Sequence, residues 1–105
     1  MKKIRMCFPN EKTFREGFEE YILDCKARNL RDGTINHYQE SIKQIYKRIT
    51  PDTLISSMCQ QTMANFYIAL RDDPNLNEVS MGTYARDLKT LMRFFMKRKY
   101  LPRFE

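Results

Sequence analysis

Arg86, Lys89, Arg93 and Lys97 recur every three or four residues, a spacing that places them on one face of a helix turning about 100° per residue. Four cations in such a row have one evident chemistry, the neutralisation of successive phosphates on a polyanion. Between Arg86 and Lys99 the chain has six Lys or Arg and one acid, Asp87, so this segment carries +5 of the formal net charge of +6. Tyr84, Leu88, Leu91 and Phe95 fall on the opposite arc, the apolar side expected to face a core. The same stripe also fits a plain solvated face, because Lys and Arg are good helix formers whose stems cover apolar surface.

Other chemistries find little support. His37 is the one histidine, so neither a multi-histidine metal site nor a two-histidine acid–base pair can be built. It falls on the polar side of its helix and reads as a solvated residue. Three glycines in 105 residues form no phosphate-cradling loop and no nucleophile elbow. Asp72 and Asp73 sit in a polar turn, and the seven Met are scattered as gap fillers. No catalytic residue, metal site or cofactor is expected.

The elements that must position the cations are helices. Thr13-Phe14-Arg15-Glu16 is a capping box, and it opens a first helix running to about Arg28 with Phe14, Phe18, Tyr21, Ile22 and Cys25 on its apolar face. Its outer face carries Glu16, Glu19, Glu20 and Asp24, an acidic surface expected to lie away from any nucleic acid. A second helix starts near Asp32 or Gly33 and buries Ile35, Tyr38, Ile42, Ile45, Tyr46 and Ile49, while Asn36, Lys43 and Lys47 share another face. Thr50-Pro51-Asp52 starts a short turn through Ile55. A third helix from about Gln60 to Leu70 buries Met63, Phe66, Tyr67 and Leu70, and a polar loop covers 72–77. The fourth runs from Ser80 to Lys99, with Ser80 as its cap and Val79 stapled onto it, and Tyr100, Leu101 and Pro102 close it. Gly33-Thr34-Ile35 returns as Gly82-Thr83-Tyr84, and the apolar positions after it match, Ile42 with Leu91, Ile45 with Phe94, Tyr46 with Phe95. Hydroxyl residues favour helix starts in any case, and an early-turn Thr beside exposed amides is also able to hold a phosphate.

At 105 residues the chain fits one domain that buries its own core. Apolar residues at 42%, charged at 30% and aromatic at 12% are values of a globular protein. The pI near 9.4 favours a polyanionic partner. Met1-Lys2-Lys3-Ile4 begins like a signal peptide, but Arg5, Pro9, Glu11 and Lys12 interrupt any apolar run, so no secretory or membrane-spanning segment is expected. Ile4, Met6 and Phe8 alternate as in a short extended segment. Cys7, Cys25 and Cys59 are odd in number and widely spaced, which indicates a reduced, cytoplasmic setting with Cys25 and Cys59 packed in or near the core.

Together these residues carry a resemblance. The run Asn29-Leu30-Arg31-Asp32-Gly33-Thr34-Ile35-Asn36-His37-Tyr38, then Ile42, the segment Ile55 to Met63, and Ser80-Met81-Gly82-Thr83-Tyr84 with Leu88, Leu91, Arg93, Phe94 and Phe95 resemble the N-terminal SAM-like core-binding domain of phage integrases and other tyrosine recombinases. The likeness covers about residues 14–102 and rests on the order and spacing of all four helices. It implies a compact all-α, four-helix SAM-like bundle at 13–102, preceded by a basic leader at 1–12 and followed at 103–105 by the start of a linker to a catalytic domain. It further implies double-stranded DNA as partner, held as half of a clamp by the second and fourth helices, with the C-terminal catalytic domain and other recombinase protomers as further partners, the acidic first helix being available to a neighbouring protomer. The residues so implicated are Thr34, Asn36, Lys43 and Lys47 on the second helix and Thr83, Arg86, Lys89, Arg93 and Lys97 on the fourth. Lys and Arg are expected mainly on phosphates, and Asn36, Thr83 and Arg86 nearest base edges. The family's catalytic set does not transfer: its H-x-x-R element has no match, since His37 is followed by Glu40, and Trp is absent. A helical protein-interaction module and a small helix-turn-helix regulator are the alternative readings, although the loop ahead of the basic helix is longer than a helix-turn-helix allows.

Overall fold

In a computed structural model, which describes residues 12–101, the capping box at Thr13 is formed: Glu16 N donates to Thr13 Oγ1 at 3.2 Å and Thr13 N donates to Glu16 Oε1 at 2.9 Å. The chain then builds α1 (Phe14–Ala27), α2 (Asp32–Tyr46), a single 3₁₀ turn (Ile55–Ser57), α3 (Gln60–Arg71) and α4 (Glu78–Lys97). The described residues contain no strand, only one isolated bridge between Thr13 and Leu54. The all-α, four-helix architecture expected from the 3.6-residue periodicity is therefore the one observed. The alternating Ile4, Met6 and Phe8, Cys7, Pro102 and the linker at 103–105 lie outside the described residues.

α4 is the element on which the other three helices pack: it touches α1, α2 and α3, and α1 also packs on α2. Its buried arc is Asp87, Leu88, Leu91, Met92, Phe94 and Phe95. Phe95 meets Phe14 of α1 edge to face at 6.1 Å between ring centres, Phe14 meets Tyr46 of α2 at 5.4 Å, and Tyr21 meets both Phe94 and Tyr38 at 5.2 and 5.1 Å. Such T-shaped contacts add directionality to simple area burial.

Several boundaries differ from the sequence expectation, each for a local reason. α4 begins at Glu78 because Asn77, not Ser80, is its cap, with Asn77 Oδ1 accepting from Ser80 N at 2.8 Å. Val79 is 78% exposed and staples nothing. α4 ends at Lys97, and Lys99 takes φ 65° so that Lys99 N and Tyr100 N reach the carbonyls of Met96 and Phe95, the Schellman closure usually given to Gly or Asn. Asn29, at φ 59°, closes α1 in the same way onto Lys26 and Cys25. α2 stops at Tyr46, so Lys47 is its C-cap and the buried Ile49 lies beyond it. The turn at 50–53 serves α1: Thr53 O accepts from Phe14 N at 2.7 Å and Pro51 O from Arg15 N at 3.0 Å, two amides that the first turn of a helix leaves without partners.

Gly17 is where α1 approaches its neighbours most closely. A Cβ there would stand 2.5 Å from Ile55 Cδ1 and 2.7 Å from Phe95 Cε1, both side chains being fully buried. Alanine would gain about 1 kcal/mol of helix propensity but force apart a packed contact at about 1–3 kcal/mol. Gly17→Ala is therefore expected to lower stability by about 1 kcal/mol in urea unfolding, and a more stable variant would show that α1 sits further from Phe95 than described.

Candidate nucleic-acid interface

The surface of α4 is divided by its packing. With α1, α2 and α3 covering its other sides, the free crest carries Arg86, Lys89, Arg93 and Lys97, all exposed. Eleven residues separate the first from the last, about 16 Å along the helix axis. None of the four has an ion-pair partner among the described residues, whereas Arg15, Arg28, Lys43 and Arg48 each have one and Arg98 has two. Four cations without an ion-pair partner among the described residues, on one helix, give a local positive potential able to hold an anionic strand.

Two charges counted with this segment belong elsewhere. Arg98 lies over the Phe94 ring at 4.7 Å and approaches Glu20 and Asp24 of α1 at 3.6 and 3.7 Å. Asp87 is buried, so it does not dilute the crest.

The acidic face of α1 is correspondingly less acidic than its sequence implies. Glu20 accepts from Lys12 Nζ and from the Tyr100 hydroxyl, and Asp24 Oδ2 accepts from Arg28 Nε at 2.9 Å. Burial pushes the Glu20 carboxyl up, but the two hydrogen bonds and the charges of Lys12 and Arg98 outweigh it and hold it below the usual carboxylate range. Glu16 serves the capping box, which leaves Glu19 as an exposed acid without a described ion-pair partner.

α2 lies along one flank of the crest. Asn36, His37, Glu40, Ser41 and Gln44 of α2 and Thr83 and Tyr84 of α4 line a shared polar cleft. The structure thus brings the expected base-edge residues Asn36 and Thr83 to one cleft, while Arg86 stands on the crest beside it. Lys43 is exposed but paired with Glu40 at 3.2 Å, and Lys47 is exposed at the end of the helix. Thr34 is exposed, and its amide is already bonded to Arg31 O at 3.0 Å. Thr83 sits in the second turn, past the free amides of the helix start, and its hydroxyl donates to Val79 O at 3.0 Å. Phosphate capture by an early-turn Thr therefore does not apply to Thr83. The Gly-Thr echo is also unequal: Gly33 is the second residue of α2 and Gly82 the fifth of α4, and a side chain at either would meet nothing within 4 Å.

His37 is not a merely solvated residue. Its Nε2 stands 2.8 Å from Asp87 Oδ2, with the imidazole 47% exposed and the carboxylate 7%. The contact lacks the geometry of a directed hydrogen bond, so among the described residues Asp87 Oδ2, like Ser41 Oγ, is buried without a hydrogen-bond partner. Asp87 was legible as an inward position, since Tyr84, Leu91 and Phe94 lie three, four and seven residues away; only its charge spoke against burial. Removing the imidazole would strand a buried carboxylate. His37→Ala is expected to cost about 1–2 kcal/mol, the loss of a buried acceptor's partner reduced by the half exposure of the ring. Pairing it with Asp87→Leu is expected to restore most of that loss; thermal unfolding of both variants checks the coupling.

Two residues expected in or near the core, Tyr67 from the periodicity of its helix and Cys59 as a packed thiol, are exposed. Tyr67 is 39% exposed on α3. Cys59 is the N-cap of α3 and exposed, whereas Cys25 is buried. Hydrogen bonds from the Thr62 and Gln61 amides, and then from the Thr62 hydroxyl, hold the Cys59 thiol below its ordinary range, because the thiolate is favoured at a helix N-terminus. Limited alkylation followed by peptide mapping is expected to modify Cys59 well before Cys25; equal rates would contradict this placement.

Among the described residues no group of three or more His, Cys, Asp or Glu is placed to hold a metal, and no helix is long and apolar enough to cross a membrane. In comparisons with known proteins, no family model, no curated protein and no solved structure matches this chain.

Proposed function

We propose that this chain binds duplex DNA through the α4 crest and the adjoining face of α2, as the non-catalytic core-binding domain of a tyrosine recombinase of the phage-integrase type. The observation that carries the reading is the row Arg86, Lys89, Arg93 and Lys97, exposed and without a described ion-pair partner on a helix fixed from three sides. Lys and Arg of this row neutralise phosphates; Arg86 at its start and Asn36 and Thr83 in the α2–α4 cleft lie nearest to base edges. Lys47 adds a phosphate contact at the end of α2, and Lys43 does so on leaving Glu40, an exposed pair of little worth. Thr34 contributes through its hydroxyl. Strand cleavage and exchange belong to a separate C-terminal domain, and the assembly works on DNA in the cytoplasm.

Fluorescence anisotropy with mixed-sequence duplex DNA tests this. The native chain is expected to bind at low salt with a Kd on the order of 10⁻⁴ to 10⁻⁶ M, as for contacts that are mainly to phosphate. A variant with Glu at Arg86, Lys89, Arg93 and Lys97 is expected to fold and not to bind. A native chain that fails to bind at low salt would overturn the proposal and bring forward a helical protein-interaction module.

A further inference from the structure

On the flank of the crest away from α2, α3 and α4 leave a groove of about 280 Å³ with a different chemistry, near the lower end of the roughly 300–1,000 Å³ of small-ligand sites. Its most buried side chains are Met63 and Met92; the exposed Tyr67 forms one side; Ala64 and Met96 complete the apolar lining; Lys89 and Arg93 stand exposed on the α4 rim and Gln60 on the α3 rim. An apolar slot with an aromatic side and two cations at one edge is complementary to a flat ring carried on an anionic backbone. Methionine side chains adapt their shape and make favourable sulfur contacts with aromatic rings. A tyrosine face stacks on any base without reading its edges, which suits a lining with few hydrogen-bonding groups. Lys89 and Arg93 are also consecutive members of the crest, so a strand tracked by the crest passes the mouth of this groove.

We propose that the groove binds an unpaired nucleobase of a DNA strand, the base stacking on Tyr67 over Met63 and Met92 while its flanking phosphates lie on Lys89 and Arg93. This rests on the DNA-binding reading of α4 and extends it: paired DNA lies along the crest, and a base from an opened or single strand enters beside it.

The test compares a labelled thymidine strand of about twelve nucleotides, within the site sizes of single-strand binders, with a hairpin duplex, using native protein, Tyr67→Ala and Tyr67→Phe. Tyr67→Ala is expected to weaken single-strand binding roughly tenfold, the scale of one lost stacking contact, and to leave duplex binding nearly unchanged. Tyr67→Phe keeps the ring and is expected to bind the strand like native protein. A fluorescent purine analogue within the strand is expected to be quenched by native protein and not by Tyr67→Ala. Unfolding curves of the variants are expected to match that of native protein, because Tyr67 is exposed. Unaltered single-strand affinity in Tyr67→Ala, an equal loss on duplex, or no quenching would overturn the proposal. So would Tyr67-dependent binding of a Leu/Glu amphipathic peptide in place of the strand, which would give the groove to a protein. A native chain that binds duplex but not the single strand defeats this inference alone; one that binds neither defeats the DNA reading as well.

Discussion

Duplex affinity of the native chain is expected to fall at least about 150-fold between 50 and 200 mM salt. That lower bound is the share of the four crest contacts, each contributing about −0.9 to the slope of log affinity against log salt concentration, or about −3.6 in all, with Lys43 and Lys47 adding to it. Alanine at any one of Arg86, Lys89, Arg93 or Lys97 is expected to make the slope shallower by about 0.9, and at Lys89, Arg93 and Lys97 to weaken binding to all sequences alike, because a phosphate contact carries no base information. Arg86 is the position at which sequence preference is also expected to change, and Asn36→Ala in the cleft is expected to alter preference with little effect on the slope. The prediction discriminates because these side chains are already without described carboxylate partners: their replacement breaks no described internal pair, so a change in binding is not a disguised change in folding. A slope unaffected by all four substitutions would place the binding surface elsewhere.

Phe95→Ala is expected to destabilise the fold by about 3–5 kcal/mol. Phe95 is fully buried and joins Phe14 of α1, Tyr100 beyond α4 and the site facing Gly17. The surroundings cannot collapse into the space easily, since Phe14, Ile55 and Leu91 are themselves buried on separate elements. Against a total stability of about 5–15 kcal/mol, such a loss would lower the melting temperature by on the order of 15–30 °C. Circular dichroism during heating measures it directly. A loss below about 1 kcal/mol would mean that α1 and α4 are not locked through this ring. The consequence for function is geometric, because the crest is presented by the same helix that Phe95 anchors.

The comparison of Tyr67 with Phe66 shows where sequence reading succeeds and where it stops. Both fall within the apolar pattern of α3, yet Phe66 is buried and Tyr67 faces the groove that opens beside Met92. Period alone cannot rank neighbours at the edge of a stripe, since the width of the buried arc depends on how far the facing helix lies. His37 and Asp87 make the same point for charge. Each has an ordinary explanation on its own helix, His37 as a solvated imidazole and Asp87 as the one acid counted among the cations of α4. Their meeting depends on the lateral register of α2 against α4.

What the sequence by itself determined is local in range. Capping at Thr13, the apolar stripes of four helices and the one-sided row Arg86, Lys89, Arg93 and Lys97 all follow from steric and hydrogen-bonding preferences acting over three to seven residues. Only the tertiary structure decided which charges are spent internally and which are free. Tyr100 reaches Glu20 across 80 residues of chain, Arg48 reaches Asp73 across 25, and Pro51 and Thr53 cap the amides of a helix that begins almost forty residues earlier. These pairings are set by the angles and distances at which helices pack, a property of the assembled core that no periodicity within one segment records.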